Sequence, residues 1–335
     1  MKLEEIGFYT LSDERARNVS LTSPLQRCEL LLTDRCNFKC PYCRGPNEYT
    51  KGTLTFEQAK HIIDLWSSHH LKNVRFSGGE PTIVPYLVDL VKYSKEHGIQ
   101  RIAISSNGSA SIDLYQKLLN AGANDFSISL DACCASTGDM MAGGISGAWN
   151  KVKESIEFLA QNTYVTVGVV LTDFNFNELP KIIEFASDLN VSDVRIISSA
   201  QWNNEEKFRN LFNNQEILTK YPILKYRIEN FRNGRNVRGI KSTDCHQCYL
   251  MIDDMVIAGN YHFPCVIAMR EGCEPVGTID NKTMEQIRKE RLDWLMKNDT
   301  HKNNICSKNC LDVCVDYCNK VHNFHMIHAT RNKEE

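Results

Sequence analysis

The chain has no apolar run approaching the ~20 residues that a membrane-spanning helix needs, so no membrane span is expected. It also lacks charge of one sign. Lys and Arg number 39 against 41 Asp and Glu, a formal net charge of −2. A broad nucleic-acid-binding face needs a basic excess, and no nucleic-acid partner is expected. The first 27 residues, "MKLEEIGFYTLSDERARNVSLTSPLQR", carry acids and no continuous apolar stretch, so no secretory signal is visible. No repeat or low-complexity segment is evident. What the chain does have is cysteine, 14 in 335 residues. In a short, core-poor secreted chain that number would mean disulfides. Here 42% of residues are apolar, enough for a large core. Most of the cysteines stand in close-spaced clusters, which suits metal or iron–sulfur ligation better than bridges. A reducing cytoplasm is the expected compartment. Only Cys28, Cys133, Cys134 and Cys273 fit scattered, buried thiols.

From residue 28 the apolar pattern alternates between two periods. Strand-like runs cover 28–33, 73–77, 101–105, 125–130, 164–171 and 193–198. Helix-like stretches between them cover 56–69, 84–96, 111–120, 147–161 and 177–189. Six β-α units in succession predict an α/β fold with a parallel sheet, a partial (βα)6 TIM-like barrel over 28–200. Chemistry in such sheets sits at the carboxyl ends of the strands. The first strand is followed by Cys36, Cys40 and Cys43, and the second by Gly78, Gly79 and Glu80. The third leads to Asn107, the fourth carries Ser129 and Asp131, and the fifth leads to Thr172 and Asn175. Together they predict a polar rim around a cavity. Residues 201–244, Asn-rich and polar, read as a linker with irregular structure. A small cysteine-rich domain over 245–322 and a charged tail over 323–335 complete the predicted organisation, with 1–27 as an N-terminal extension. His322, His325 and His328 in that region read as solvated histidines rather than ligands.

Three thiolates in ten residues invite one question. Structural zinc takes four protein ligands in a closed tetrahedron. Cys36, Cys40 and Cys43 have no local fourth partner, so they leave a metal site open. A [4Fe–4S] cube held by three thiolates keeps one iron free for another ligand. Zinc with a remote fourth ligand is the alternative.

The stretch "RCNFKCPYC", with Tyr42 before its last cysteine, resembles the signature of the radical S-adenosylmethionine (SAM) superfamily. "FSGGEP", "SSNG" and "SISLD" follow in the order that family requires. The resemblance implies that Cys36, Cys40 and Cys43 hold a [4Fe–4S] cluster whose fourth iron chelates SAM. It implies that Gly78, Gly79 and Glu80 receive the methionine amino group, that Tyr42 lies near the adenine, and that Asn107 and Ser129 reach the ribose or carboxylate. Reductive cleavage of SAM would then yield a 5′-deoxyadenosyl radical that abstracts a hydrogen atom from a substrate. A low-potential donor of the flavodoxin or ferredoxin type would supply the electron.

Cysteines 245, 248 and 265 and the evenly spaced Cys306, Cys310, Cys314 and Cys318 resemble the SPASM or twitch extension of radical SAM maturases. That likeness implies one or two auxiliary [4Fe–4S] clusters. The expected partition places one on Cys245, Cys248, Cys265 and Cys318. A second, on Cys306, Cys310 and Cys314, is one ligand short unless Cys273 or a substrate supplies it. Structural zinc is again the alternative. Cys133 and Cys134, just after "SISLDA", are expected either to donate a hydrogen atom to a substrate radical or to pack as small apolar side chains. The function expected is hydrogen abstraction from a C–H bond in the maturation of a ribosomal peptide or a natural product. A sugar or aminocyclitol epimerase or dehydrogenase is the alternative. The 27 residues before the first strand are too few for a peptide-recognition domain, which weakens the peptide reading. A molybdopterin-precursor cyclase ranks lower, because the tail lacks that enzyme's terminal glycines. A non-enzymatic electron-transfer or metal-binding module ranks lower too, because it leaves the GGE and SLD positions unexplained.

Overall fold

The computed structural model describes residues 8–202, 208 and 211–331, and over 325–331 the backbone alone. His325 and His328 therefore have side chains outside the described residues. In strand β1 (Arg27–Thr33), Cys28, Leu30 and Leu32 enter the main apolar core. Glu29, between them, faces the other way and accepts a hydrogen bond from Ser77 Oγ at 2.8 Å. This two-residue period sorts every strand into a helix-covered face and a face turned into the barrel. The other barrel strands are β2 (Asn73–Gly78), β3 (Arg101–Ser106), β4 (Asp125–Ser129), β5 (Tyr164–Leu171) and β6 (Asp193–Ser198). All five neighbouring pairs are parallel, in the order β6-β5-β4-β3-β2-β1. The interior face carries Glu29, Ser77 and Arg75, whose guanidinium bonds Ser105 Oγ at 2.8 Å.

The covering helices start and stop where local chemistry directs. Thr55 and Gln58 form a reciprocal capping box at the start of helix Phe56–Ser67. Ser111 caps helix Ile112–Ala121, and Gly122, at φ 115°, ends it in the left-handed region. Segment 201–244 differs from the expected linker. It carries helices Gln215–Lys220 and Pro222–Arg232, and Leu224, Ile228 and Phe231 of the second helix bury in the main core. The Asp193 carboxylate on β6 accepts from the backbone N–H of Ile223 at 3.1 Å and Leu224 at 3.3 Å, fixing the start of that helix on the strand.

The cysteine-rich region continues the same sheet. Strand β7 (Asp254–Ala258) pairs in parallel with the free side of β1, and β8 (Tyr261–Phe263) and β9 (Gly277–Thr278) extend it antiparallel. The nine-stranded sheet thus joins barrel and cysteine-rich region through backbone hydrogen bonds. Arg291, in helix Met284–Lys297, is buried and holds this region together. Its guanidinium bonds the carbonyls of Met251 at 2.8 Å, Phe263 at 2.8 Å and Asp254 at 2.6 Å. Tyr9, Ala16 and Val19 near the N-terminus pack with Tyr317 and Val321 of helix Asp312–Arg331. Among the described residues, no helix is long and apolar enough to cross a membrane.

Candidate cofactor site

All 14 cysteines are free thiols. The loop after β1 carries Cys36, exposed, Cys40, half-buried, and Cys43, exposed. Its root is pinned at both ends. Asp34 N–H bonds Gly52 O at 2.9 Å, and Thr33 Oγ1 pairs with Thr53 Oγ1 at 2.7 Å. Farther along, Lys39 N–H bonds Ala142 O at 3.0 Å.

Gly78, Gly79 and Glu80 lie directly behind this loop. Gly79 N–H donates to Thr33 O at 2.7 Å, and Glu80 N–H donates to Arg35 O at 2.8 Å. A Cβ on Gly79 would stand 2.1 Å from Arg35 O. One on Gly78, at φ +140°, would stand 2.3 Å from Thr33 O. Here the glycines let two backbones touch, and this holds the root of the cysteine loop against β2. The Glu80 side chain has 0% exposure. One carboxylate oxygen accepts from Thr82 N–H (3.0 Å), Thr82 Oγ1 (2.6 Å) and Ser106 Oγ (2.9 Å), and the other from Asn107 N–H (2.7 Å). Burial pushes its pKa above the ordinary carboxylate value, against the pull of those bonds. Both oxygens are therefore engaged within the protein, which leaves the Glu80 side chain no free face for the methionine amino group expected of it.

Asn107, at the end of β3, is half-buried beside Cys36. Its Nδ2 lies 3.7 Å from Cys36 Sγ and 2.9 Å from Asn37 Oδ1. Tyr42 donates its hydroxyl to Asp131 Oδ2 at 2.6 Å, while Asp131 Oδ1 accepts from Val170 N–H at 2.7 Å. Burial raises Asp131 to about 6. Asn175 closes the rim, bonding the carbonyls of Asp131 and Val170 at 2.9 Å each. Cys40, Tyr42, Asn107, Ser129 and Asp131 share the wall of one cleft of about 430 Å³ with Phe38, Met141 and Trp149. Of the polar positions read from the strand ends, Cys40, Asn107, Ser129 and Asp131 share this wall, while Cys36, Cys43, Gly78, Gly79, Glu80, Thr172 and Asn175 do not line it. Cys133 and Cys134 do not form part of that wall. Asp131, Asn175 and their bonds emerge from the strand ends alone, and the alignment of acid, tyrosine and amide was not legible in sequence.

The second cysteine group, expected to hold one or two clusters, gathers around one space. Cys245, Cys248, Cys265, Cys306, Cys310, Cys314 and Cys318 all line a single apolar cavity of about 570 Å³. Cys273 is not on its wall and packs instead against the cluster of Val256, Ala258, Phe263 and Met269. Cys314 and Cys318, one helical step of four apart, approach the cavity from helix Asp312–Arg331, and Cys310 approaches it from the end of helix Asn304–Asn309. Cys248 and Cys318 share a hydrogen bond, which holds Cys248 below the ordinary thiol value. Burial pushes Cys306 and Cys314 up to about 12 and raises Cys265 and Cys310 as well. Unbridged thiols gathered in an apolar cavity fit a soft metal group whose binding takes their protons. The trio on the first loop, two exposed thiols and one half-buried with no fourth cysteine or histidine in the loop, fits a cluster with one open iron. His322 lies 3.5 Å from the Tyr249 hydroxyl.

Residues 30–186 match the model of the radical SAM superfamily. The chain is 30% identical over 200 residues to the GTP 3′,8-cyclase of Synechococcus elongatus, covering 57% of this chain and 60% of that protein. It is 30% identical over 186 residues to the PqqA peptide cyclase of Rhodopseudomonas palustris, covering 55% and 49%. The chain thus spans about half to three fifths of the length of these curated relatives. Among solved structures, Streptococcus suis SuiB bound to its precursor peptide SuiA superposes with TM-score 0.65 at 13% identity, covering 93% of this chain and 74% of SuiB. The protein anSMEcpe with bound AdoMet superposes with TM-score 0.59 at 15% identity, covering 93% and 98%. At these identities the likeness is one of fold.

Proposed function

We propose that this chain, whose residues 30–186 form a radical SAM domain, is an enzyme that cleaves SAM reductively and abstracts a hydrogen atom from a C–H bond of a peptide substrate. The observation that carries the reading is the three-thiol loop placed beside the cleft walled by Tyr42, Asn107 and Ser129. Cys36, Cys40 and Cys43 would hold the [4Fe–4S] cluster. When bound, the cluster and SAM supply a hydrogen-atom abstractor through reductive cleavage of the sulfonium. The protein's own part is placement. Glu80 holds the backbone N–H of Asn107, and Asn107 reaches the edge of the thiol loop. Asp131 fixes Tyr42 and ties the loop to β5. Phe38, Met141 and Trp149 give the cleft apolar walls that exclude water from the reaction.

The peptide assignment rests on fold analogy with SuiB and anSMEcpe, a likeness that extends through the cysteine-rich region. In this reading the seven-thiol cavity holds one auxiliary [4Fe–4S] cluster, and a small flavodoxin or ferredoxin delivers the electron. A small-molecule substrate is the competing reading, and deuterium transfer from labelled candidates into 5′-deoxyadenosine separates the two.

Anaerobically reconstituted, reduced protein should form 5′-deoxyadenosine and hold about eight irons, four for each cube. The Cys36→Ala/Cys40→Ala/Cys43→Ala variant should form none and keep about four. Continued SAM cleavage by that variant would end the radical reading. About four irons plus zinc in the wild type would return the seven-thiol cavity to structural zinc, and about twelve irons would place two cubes there.

A further inference from the structure

One cluster of metal-ligating side chains lies outside both cysteine sites. Cys133 Sγ, Cys134 Sγ and a carboxylate oxygen of Glu178 all lie within 4.8 Å of one another. Cys133 and Cys134 follow β4, and Glu178 ends the single turn Phe176–Glu178 that follows β5. All three are half-buried, screened from bulk water yet reachable from it. We propose that Cys133, Cys134 and Glu178 form an open zinc site between the loop after β4 and the entry of the helix after β5, three protein ligands with water in the fourth position rather than a closed structural tetrahedron.

The side chains around the trio support it. Thr137 Oγ1 donates to Glu178 Oε1 at 2.6 Å, fixing one carboxylate oxygen and turning the other, Oε2, towards the thiols. Cys133 Sγ lies 3.4 Å from that Oε2, so a thiol proton now occupies the place a cation would take. Ser136 Oγ lies 3.3 Å and Thr137 Oγ1 3.7 Å from Cys134 Sγ. Such outer partners orient first ligands and are part of a working metal site. Two thiolates with one carboxylate select zinc over calcium or magnesium, which need oxygen donors alone. On binding, each thiol releases its proton to solvent, the hydrated ion keeps one water and releases the rest, two Zn–S bonds and one Zn–O bond to Glu178 form, and no electron moves. The ion would stiffen the segment that begins at Asp131, the residue that holds Tyr42.

The test uses the anaerobically reconstituted protein with its iron in place. It is equilibrated with zinc chloride, desalted, and assayed for zinc and iron by mass spectrometry, with X-ray absorption at the zinc edge. The expected result is about one zinc per chain, with two sulfurs near ~2.3 Å and lighter ligands near ~2.0 Å. The Cys133→Ser/Cys134→Ser variant should lose that zinc, and Glu178→Gln should retain it at least tenfold more weakly, both with unchanged iron. Zinc held equally by wild type and variants, a shell of four sulfurs, or no zinc in the wild type would each overturn the proposal. Four sulfurs would place the ion in the seven-thiol cavity.

Discussion

Glu80→Gln separates a carboxylate that touches SAM from one that builds the site. Glu80 has no exposed surface, and its two oxygens accept four hydrogen bonds. An amide keeps one acceptor oxygen and places an NH2 where the other stood. If the oxygen stays with Thr82 and Ser106, the NH2 group faces Asn107 N–H, and a buried donor loses its partner. Such a loss costs about 1–3 kcal/mol, and the bond lost is charge-assisted. Relief of the desolvated charge offsets part of this, which leaves about 2 kcal/mol of destabilisation. Unfolding entropy of about 2.1 cal/mol/K per residue over 335 residues gives roughly 0.7 kcal/mol/K. The midpoint of thermal unfolding should therefore fall by about 3 °C. Asn107 should loosen with it, and SAM affinity should weaken about tenfold as a secondary effect. Calorimetry and SAM binding are measured on the same anaerobic samples. An unchanged midpoint with weakened SAM binding would refute the reasoning and put the carboxylate in direct contact with the methionine.

Gly79→Ala should be more severe than its size suggests, because its Cβ would meet the Arg35 carbonyl at 2.1 Å and backbone has little room to yield. Overpacking of this kind costs about 1–3 kcal/mol, and the displaced loop should lose about four irons while the seven-thiol cavity keeps its own. An iron count equal to wild type would show that the loop tolerates the shift. His262, fully buried in β8, has its pKa lowered to about 4, chiefly by burial, despite its 3.0 Å contact with Glu290. It stays neutral in the fold while the unfolded chain takes up a proton first, so its contribution is present above pH 6.5 and is lost as pH falls towards 4. The loss should approach 3 kcal/mol at most, about 1.4 kcal/mol for each pKa unit. Urea unfolding of wild type and His262→Gln should converge between pH 7 and 4.5, and a pH-independent difference would rule this origin out.

Local chemistry in the chain determined much of the site. Alternating apolar residues marked all six barrel strands, and the three close cysteines announced an open metal site at the end of the first. Those features are written in spacings of a few residues, and the strand and helix periods are local properties of the backbone. Some missed elements also had local signals. The Gly259-Asn260 pair between alternating runs marks the β7–β8 hairpin, and Asn214 and Pro222 mark helix starts inside the supposed linker. Other features had no such signal. Glu80 reads in sequence like a ligand to a cofactor, yet packing buries it and gives its oxygens to Thr82, Ser106 and Asn107. Seven cysteines that spacing divides into two groups face one cavity, because β7 docks on β1 and helix Asp312–Arg331 folds back over it. Glu178 reaches Cys133 across 45 residues only because β4 and β5 are neighbours. Spacing along the chain decides which groups can share an element. Which elements then face one another depends on the burial of whole apolar faces, and that is a property of the assembled fold.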